Sequence, residues 1–221
     1  MLADADVEAA AAAAVTGRFL NAGQSCIAAK RFVVVDAIAD AFEEAFAAAA
    51  GALRMGDPRT DVDLGPMARA DLRDELADQV RRGVQAGGTV LTGATIPDGP
   101  GAYYVPTIVG RVHVDNPLAR EETFGPAAAV MRVPDEDSAI LAANASPYGL
   151  SSSLWTEDLE RARRLSHRIQ AGAVFVNTPS ASDPRMPFGG IKRSGWGREL
   201  GEWGIREFVN VQAVTMRRRS A

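Results

Sequence analysis

Short runs of β-branched and apolar residues recur along this chain, and stretches long enough for a helix separate them. "RFVVVD", "TVLTG", "GPAAAVMRV", "LSSSLWT" and "AVFVN" each read as a strand. Between them, "AIADAFEEAFAAAAGALRMG" places Ile38, Phe42, Ala45 and Phe46 on one helical face before a glycine stop. "ARADLRDELADQVRRGVQAGG", "DEDSAILAANAS" and "EDLERARRLSHRIQAG" read as further helices. Antiparallel neighbours can be joined by a two-residue turn, whereas parallel neighbours need a crossover of a dozen residues or more. The spacing therefore predicts an α/β fold: a three-layer, mostly parallel sheet with helices on both faces.

The flanking stretches fit that frame. "DADVEAAAAAAVTGRFLNAG" is an Asp-capped, Ala-rich helix that stops at a glycine. "DPRTDVDLGPMA" is a loop, and "AYYVPTIVGRV" is extended, with Pro106 marking an edge or a bend. "GWGRELGEWGIREFV" is expected to be a helix and "NVQAVTMR" a last strand of alternating polarity.

Composition narrows the function classes. A chain of 221 residues, 47% hydrophobic and 24% charged, suits one large domain or a domain with an appendage rather than a disordered tail. A net charge of −4 argues against a nucleic-acid partner, which calls for a concentrated basic face. The one strong basic cluster, Arg217–Arg219, reads as a solvated tail. A single cysteine excludes an internal disulfide, and two distant histidines, His113 and His167, give no metal-ligand spacing. The longest apolar run is too short to span a bilayer and follows acidic residues, and no leader is visible. These readings lead us to expect a cytoplasmic protein with no metal and no membrane or nucleic-acid partner.

The lone cysteine, Cys26, lies in "NAGQSCIAAKR", where a loop of small and polar residues gives way to a strand. A solitary cysteine is more often a small buried hydrophobe than a nucleophile. The small residues before Cys26 nonetheless allow a tight turn that leaves the thiol at the junction. A free thiol is only a few per cent thiolate at neutral pH, so a nucleophile needs a nearby cation or base. Lys30 and Arg31 are the candidates that the sequence offers.

"FLNAGQSCIAAKR" resembles the cysteine motif of the aldehyde dehydrogenase superfamily, and two further blocks follow in the family's order. They are "REETFGPAAAV" and "NTPSASDPRMPFGGIKRSGWGRELGEWGIREFVN". The resemblance covers nearly the whole chain. Among its branches, "SDPRMPFGGIKRSGWGREL" most resembles the succinate-semialdehyde dehydrogenases. "GWGREL" is not a dinucleotide fingerprint, because no strand leads into it and its glycine spacing is wrong.

The resemblance implies that Cys26 is the catalytic nucleophile, attacking an aldehyde to form a thiohemiacetal and then a thioester. It implies that Glu122 accepts hydrogen bonds from the nicotinamide ribose and that Phe124 packs by the nicotinamide ring of NAD or NADP. Phe188 becomes a wall of the substrate tunnel, while Ser182 and Arg185 are candidates for the distal carboxylate of a semialdehyde acid. Some members carry a carboxylate-binding arginine six residues before the cysteine, where this chain has Leu20. Asn177 matches an asparagine that supports the site, with a purely structural role as the alternative.

The same resemblance divides the chain into a catalytic domain, residues 1–208, and an oligomerisation strand with a basic tail, 209–221. It places the cofactor domain, with the general-base glutamate and an oxyanion-hole asparagine, before residue 1, which leaves the dinucleotide site incomplete. The expected partners are a small aldehyde and either further copies of the chain or a complementing cofactor-domain chain. Little or no dehydrogenase activity is expected of the chain alone. Two alternatives stand beside this reading: a non-catalytic interaction subunit pairing through Val209–Arg217, and a weak cysteine esterase.

Overall fold

The computed structural model describes residues 1–218, and 219–221, including the last arginine of the basic cluster, lie outside the described residues. The chain opens with α1 (Val7–Phe19), whose N-terminus is capped by the Asp6 carboxylate accepting from the Ala9 N–H. Strand β1 (Arg31–Val35) runs directly into α2 (Asp36–Gly51), and a loop leads to α3 (Ala70–Gln85). Then come β2 (Thr89–Thr92), β3 (Thr107–Gly110), the single turn α4 (Pro117–Arg120) and β4 (Ala127–Val133). The second half holds α5 (Glu136–Asn144), β5 (Tyr148–Gly149), β6 (Ser151–Leu154), α6 (Leu159–Ser166) and β7 (Ala173–Val176). The short β8 (Ile191–Lys192) and α7 (Gly201–Arg206) complete it.

Four strands form the central sheet in the order β1-β4-β3-β2. β4 pairs in parallel with both β1 and β3, and β2 joins β3 antiparallel at one edge. A second parallel pair, β6–β7, lies beyond the free edge of β1, and β5 pairs antiparallel with β8. Between β1 and β6 run Met1 and Leu2. The Met1 nitrogen donates to the Val33 carbonyl, the Val35 N–H donates to the Met1 carbonyl, and the Leu2 N–H donates to the Trp155 carbonyl.

Strand periodicity produces the three layers. On β1, Phe32 and Val34 point to one side, where α1 and α2 supply Ala10, Ala14, Phe42 and Phe46. Val35 points to the other, where α3, α5 and α6 supply Leu76, Val80, Ile140 and Leu165. The same alternation divides Ala128 and Val130 of β4 from Ala129 and Met131. Phe32, Phe42 and Phe46 interlock, with ring centroids 4.8 Å apart for Phe32–Phe46 and 5.4 Å for Phe42–Phe46. Phe42 and Phe46 are wholly buried, each worth about 1.5–3 kcal/mol of apolar transfer.

The α/β architecture and mostly parallel sheet agree with the sequence reading, but three local expectations need correction. Of the two readings of Pro106, the edge is excluded: it immediately precedes β3, which lies between β2 and β4. The helix expected over "GWGRELGEWGIREFV" is confined to Gly201–Arg206, because Leu200 and Gly201 take positive φ and break its N-terminal half. The last strand does not form within the chain. Among the described residues, 209–218 pair with no strand and are exposed, with Val211 at 95% and Met216 at 90% exposure. No helix among the described residues is long and apolar enough to cross a membrane.

Candidate active site

The Cys26 turn is built by a forced change of direction. After α1, Asn21 and Ala22 both take left-handed backbone conformations, at φ 54° and 53°. Asn21 tolerates this, whereas Ala22 stores strain of order 1–2 kcal/mol. The turn is locked by the Asn21 amide donating to the Gln24 carbonyl, 3.0 Å, and by the Ala68 N–H donating to Gln24 Oε1, 2.8 Å. Cys26 follows with its side chain exposed. Among the described residues its backbone N–H donates to no protein acceptor.

Two cations hold this turn against the loop between α4 and β4. Arg18, at the end of α1, is wholly buried and pairs with no carboxylate among the described residues. Its guanidinium donates to the carbonyls of Ala29 (3.3 Å), Thr123 (2.9 Å) and Gly125. Burial pulls its pKa down to about 9, and it remains a cation at neutral pH. Gly23 lets the two backbones meet, because a Cβ there would drive into the Gly125 carbonyl at a φ of +69°.

Lys30 is the second. Its ammonium donates to the carbonyls of Cys26 (3.3 Å) and Ala28 (3.2 Å) and pairs with Glu122 Oε1 at 3.3 Å. It also lies 6.0 Å from the centre of the Phe124 ring. Burial and the neighbouring Arg18 charge lower its pKa, and Glu122 pulls the other way. Arg31, the other cation beside the cysteine in sequence, is not part of this cluster. It donates to the carbonyls of Ala142 and Ala143 at the end of α5, at 2.9 and 2.8 Å.

The structure thus gathers Cys26, Glu122 and Phe124 around Lys30. The two consecutive glutamates are distinguished by their partners. Glu121 is held by Arg82 through two 2.7 Å bonds, leaving Glu122 on the Cys26 side. Phe124 is 44% exposed, an accessible flat apolar surface. A cleft of about 430 Å³ is lined by Cys26, Lys30 and Glu122, and also by Phe32, Val33 and Ser151–Leu154.

Ser182, Arg185 and Phe188 do not line that cleft. Arg185 is exposed and forks onto Asp183 at 3.0 and 2.6 Å, while the Phe188 backbone bridges to Glu199. Leu20 is 70% exposed beside the Asn21 turn. Asn177 donates to the Thr156 carbonyl and accepts from the Thr156 N–H, a brace between β6 and β7. Among the described residues no group of three or more His, Cys, Asp or Glu side chains is placed to hold a metal. Sequence reasoning missed Arg18: a lone arginine at the end of a helix carries no signal that two of its three partners, Thr123 and Gly125, lie more than a hundred residues away.

The family model "Aldehyde dehydrogenase family" matches residues 1–214. The chain is 49% identical over 215 residues to the NAD(P)+ succinate semialdehyde dehydrogenase Sad of Escherichia coli strain K12, covering 97% of this chain and 46% of that protein. It is 47% identical to the NADP(+) succinate-semialdehyde dehydrogenase 1 of Mycobacterium bovis, covering 97% and 47%. Among solved structures, it superposes with a TM-score of 0.92 on the succinic semialdehyde dehydrogenase of Streptococcus pyogenes in complex with NADP+. That match has 35% identity and covers 96% of this chain and 47% of that one. The chain spans about half the length of the curated relatives it matches.

Proposed function

The chain belongs to the aldehyde dehydrogenase family, and from that premise we propose that it supplies the nucleophile half of an NAD(P)-dependent oxidation of an aldehyde to its acid, with succinate semialdehyde as substrate. The observation that carries this reading is the exposed Cys26 thiol on a strained turn, clamped through Lys30 to Glu122. The substrate is suggested by the relatives named above.

Cys26 Sγ, as thiolate, bonds to the aldehyde carbon, and the carbonyl electron pair moves onto oxygen. The Cys26 N–H, which meets no protein acceptor among the described residues, is the proposed donor to that oxygen. Loss of hydride from the carbon re-forms the carbonyl as a thioester on Sγ. Water then adds to it, the C–S bond breaks, and the acid leaves with the thiolate restored. Lys30 stiffens the turn by holding the Cys26 and Ala28 carbonyls.

Glu122 and Phe124 fit the nicotinamide-riboside end of a dinucleotide: a carboxylate accepts from a diol, and an exposed ring flanks a planar heterocycle. When bound, NAD(P)+ supplies the hydride acceptor. The rest of the dinucleotide needs contacts beyond these two residues, so the site is incomplete in this chain. For the distal carboxylate, Ser182 and Arg185 are the proposed contacts. Arg185 must first leave Asp183, an exposed pair whose release costs about 1 kcal/mol or less.

A glutamate-type general base is worth about 10²–10⁴-fold, so the chain alone is proposed to be nearly inactive. A cofactor-domain chain, or pairing of copies through Val209–Arg217, is the proposed completion. The test is NAD(P)H formation from succinate semialdehyde by the chain alone and with the cofactor half of a relative added. Turnover only in the mixture, abolished by Cys26→Ala, supports the reading. Turnover that survives Cys26→Ala sinks it.

A further inference from the structure

The charges that meet around Cys26, Glu122 and Phe124 do not cancel. Arg18 and Lys30 are both there, and Arg18 donates only to backbone carbonyls. Glu122 is the carboxylate that answers Lys30, at 3.3 Å. Its neighbours on the α3 side are already matched, Glu121 by Arg82 and Asp78 by Arg81. Two cations against one carboxylate leave a surplus positive charge among the described residues, the Cys26 thiol aside. Arg18 is wholly buried, so Lys30, its side chain 17% exposed, is the cation that a bound molecule feels first.

The Lys30 ammonium is fixed in place. The carbonyls of Ser25 (3.5 Å), Cys26 (3.3 Å) and Ala28 (3.2 Å) and Glu122 Oε1 (3.3 Å) surround its nitrogen. Every one of these partners is an acceptor, and the three carbonyls hold the charge there when Glu122 turns to another donor. The same nitrogen lies 6.0 Å from the centre of the Phe124 ring, which is the exposed flat surface of the site.

An oxidised nicotinamide ring carries a positive charge. A ring that has gained hydride, a proton with two electrons, carries none. We propose, resting on the riboside fit of Glu122 and Phe124, that Lys30 discriminates between these two rings by its charge and favours the neutral, reduced one. Bringing a cationic ring toward a held ammonium is unfavourable, and the neutral ring escapes that repulsion. The ribose and its contact with Glu122 are common to both forms and cancel in the comparison. Lys30 thereby makes the bound oxidised ring the readier hydride acceptor and the reduced ring the slower to leave. It acts through space and does not have to touch the ring.

The probes are oxidised and reduced nicotinamide mononucleotide, each titrated onto the full chain carrying Cys26→Ala, which removes the thiol and any covalent adduct. The readout is the ratio of the two dissociation constants, taken from amide NMR shifts around Phe124. In Lys30→Gln, which keeps a donor without the charge, the ratio should move about three- to tenfold in favour of the oxidised ring. Lys30→Arg should leave it unchanged. Glu122→Gln strips Lys30 of its counter-charge, so it should weaken both probes and move the ratio the other way.

A ratio unmoved by Lys30→Gln, or moved equally by Lys30→Arg, overturns the role of Lys30. If Glu122→Gln still weakens both probes, the riboside reading survives that result. Should Lys30→Gln fail to fold, the ratio in Glu122→Gln decides, and an unmoved ratio there overturns the inference. Binding that Glu122→Gln does not weaken, or none at millimolar probe, overturns the riboside reading and this inference together.

Discussion

The Nζ of Lys30 stands 3.3 Å from Oε1 of Glu122, and the same ammonium holds the carbonyl of Cys26. One mostly buried cation thus joins the proposed nucleophile's turn to the proposed ribose acceptor, residues that lie 96 positions apart. Lys30→Met keeps the stem and removes the donors. The Cys26 and Ala28 carbonyls then lose their protein partner, and Glu122 loses its counter-charge. Stability should fall by about 1–3 kcal/mol, read as a lower urea midpoint with an unchanged slope.

Arg18→Met should cost more, about 3–5 kcal/mol, because the Ala29, Thr123 and Gly125 carbonyls it serves lie around a fully buried guanidinium. Arg18→Lys should recover little of this, since an ammonium cannot reproduce the planar fork. Denaturant unfolding of the two variants checks both statements, and full recovery by lysine would show that charge alone matters.

Gly23→Ala meets two obstacles at once, a positive φ and the Gly125 carbonyl in the path of its Cβ. A loss of at least ~2 kcal/mol is expected. Gly99→Ala is the control for backbone strain alone, since its φ is also positive and nothing lies within 4 Å of an added Cβ. A Gly23→Ala loss no larger than the Gly99→Ala loss contradicts the close approach.

Cys26 is the chain's only thiol and is exposed. A maleimide reagent should therefore add once per folded chain, within minutes at neutral pH and without denaturant. Intact-mass measurement reads the stoichiometry, and Cys26→Ala should take up none. Labelling that requires urea would place the thiol inside the fold.

The Met1 ammonium lies inside the fold, and burial lowers its pKa from 8.0 to about 5. Above pH 8 it is neutral in both the folded and unfolded chain. As pH falls from 8 toward 5 the unfolded chain takes up the proton first, so this group makes folding less favourable on acidification, by about 1–3 kcal/mol in total. Below the folded value both states carry the charge and the contribution is constant. Acetylating the amino group should flatten the stability profile between pH 5 and 8, as measured by urea unfolding. An unchanged slope after acetylation would falsify the assignment.

The candidate site was legible in the sequence where its residues are neighbours in the chain. "NAGQSC" placed Cys26 at a turn, and "REETFGP" placed Glu122 and Phe124 together. The role of Lys30 was half legible: adjacency offered both Lys30 and Arg31, and only packing sent Arg31 to the end of α5. The pairing of "NVQAVTMR" was not legible, because alternation specifies a face and not a partner, and among the described residues it pairs with no strand of its own chain.

By itself, then, the sequence determined the alternation of helices and strands, the three-layer sheet and the position of the lone thiol. Each of these follows from side-chain periodicity and local turn chemistry over a few residues. Only the tertiary structure decided that Arg18 and Lys30 clamp the Cys26 turn to the loop before β4, that β3 is an interior strand, and that Met1 and Leu2 run between β1 and β6. Those features depend on which distant backbone groups come within hydrogen-bonding reach, and the order of residues along one segment holds no record of that.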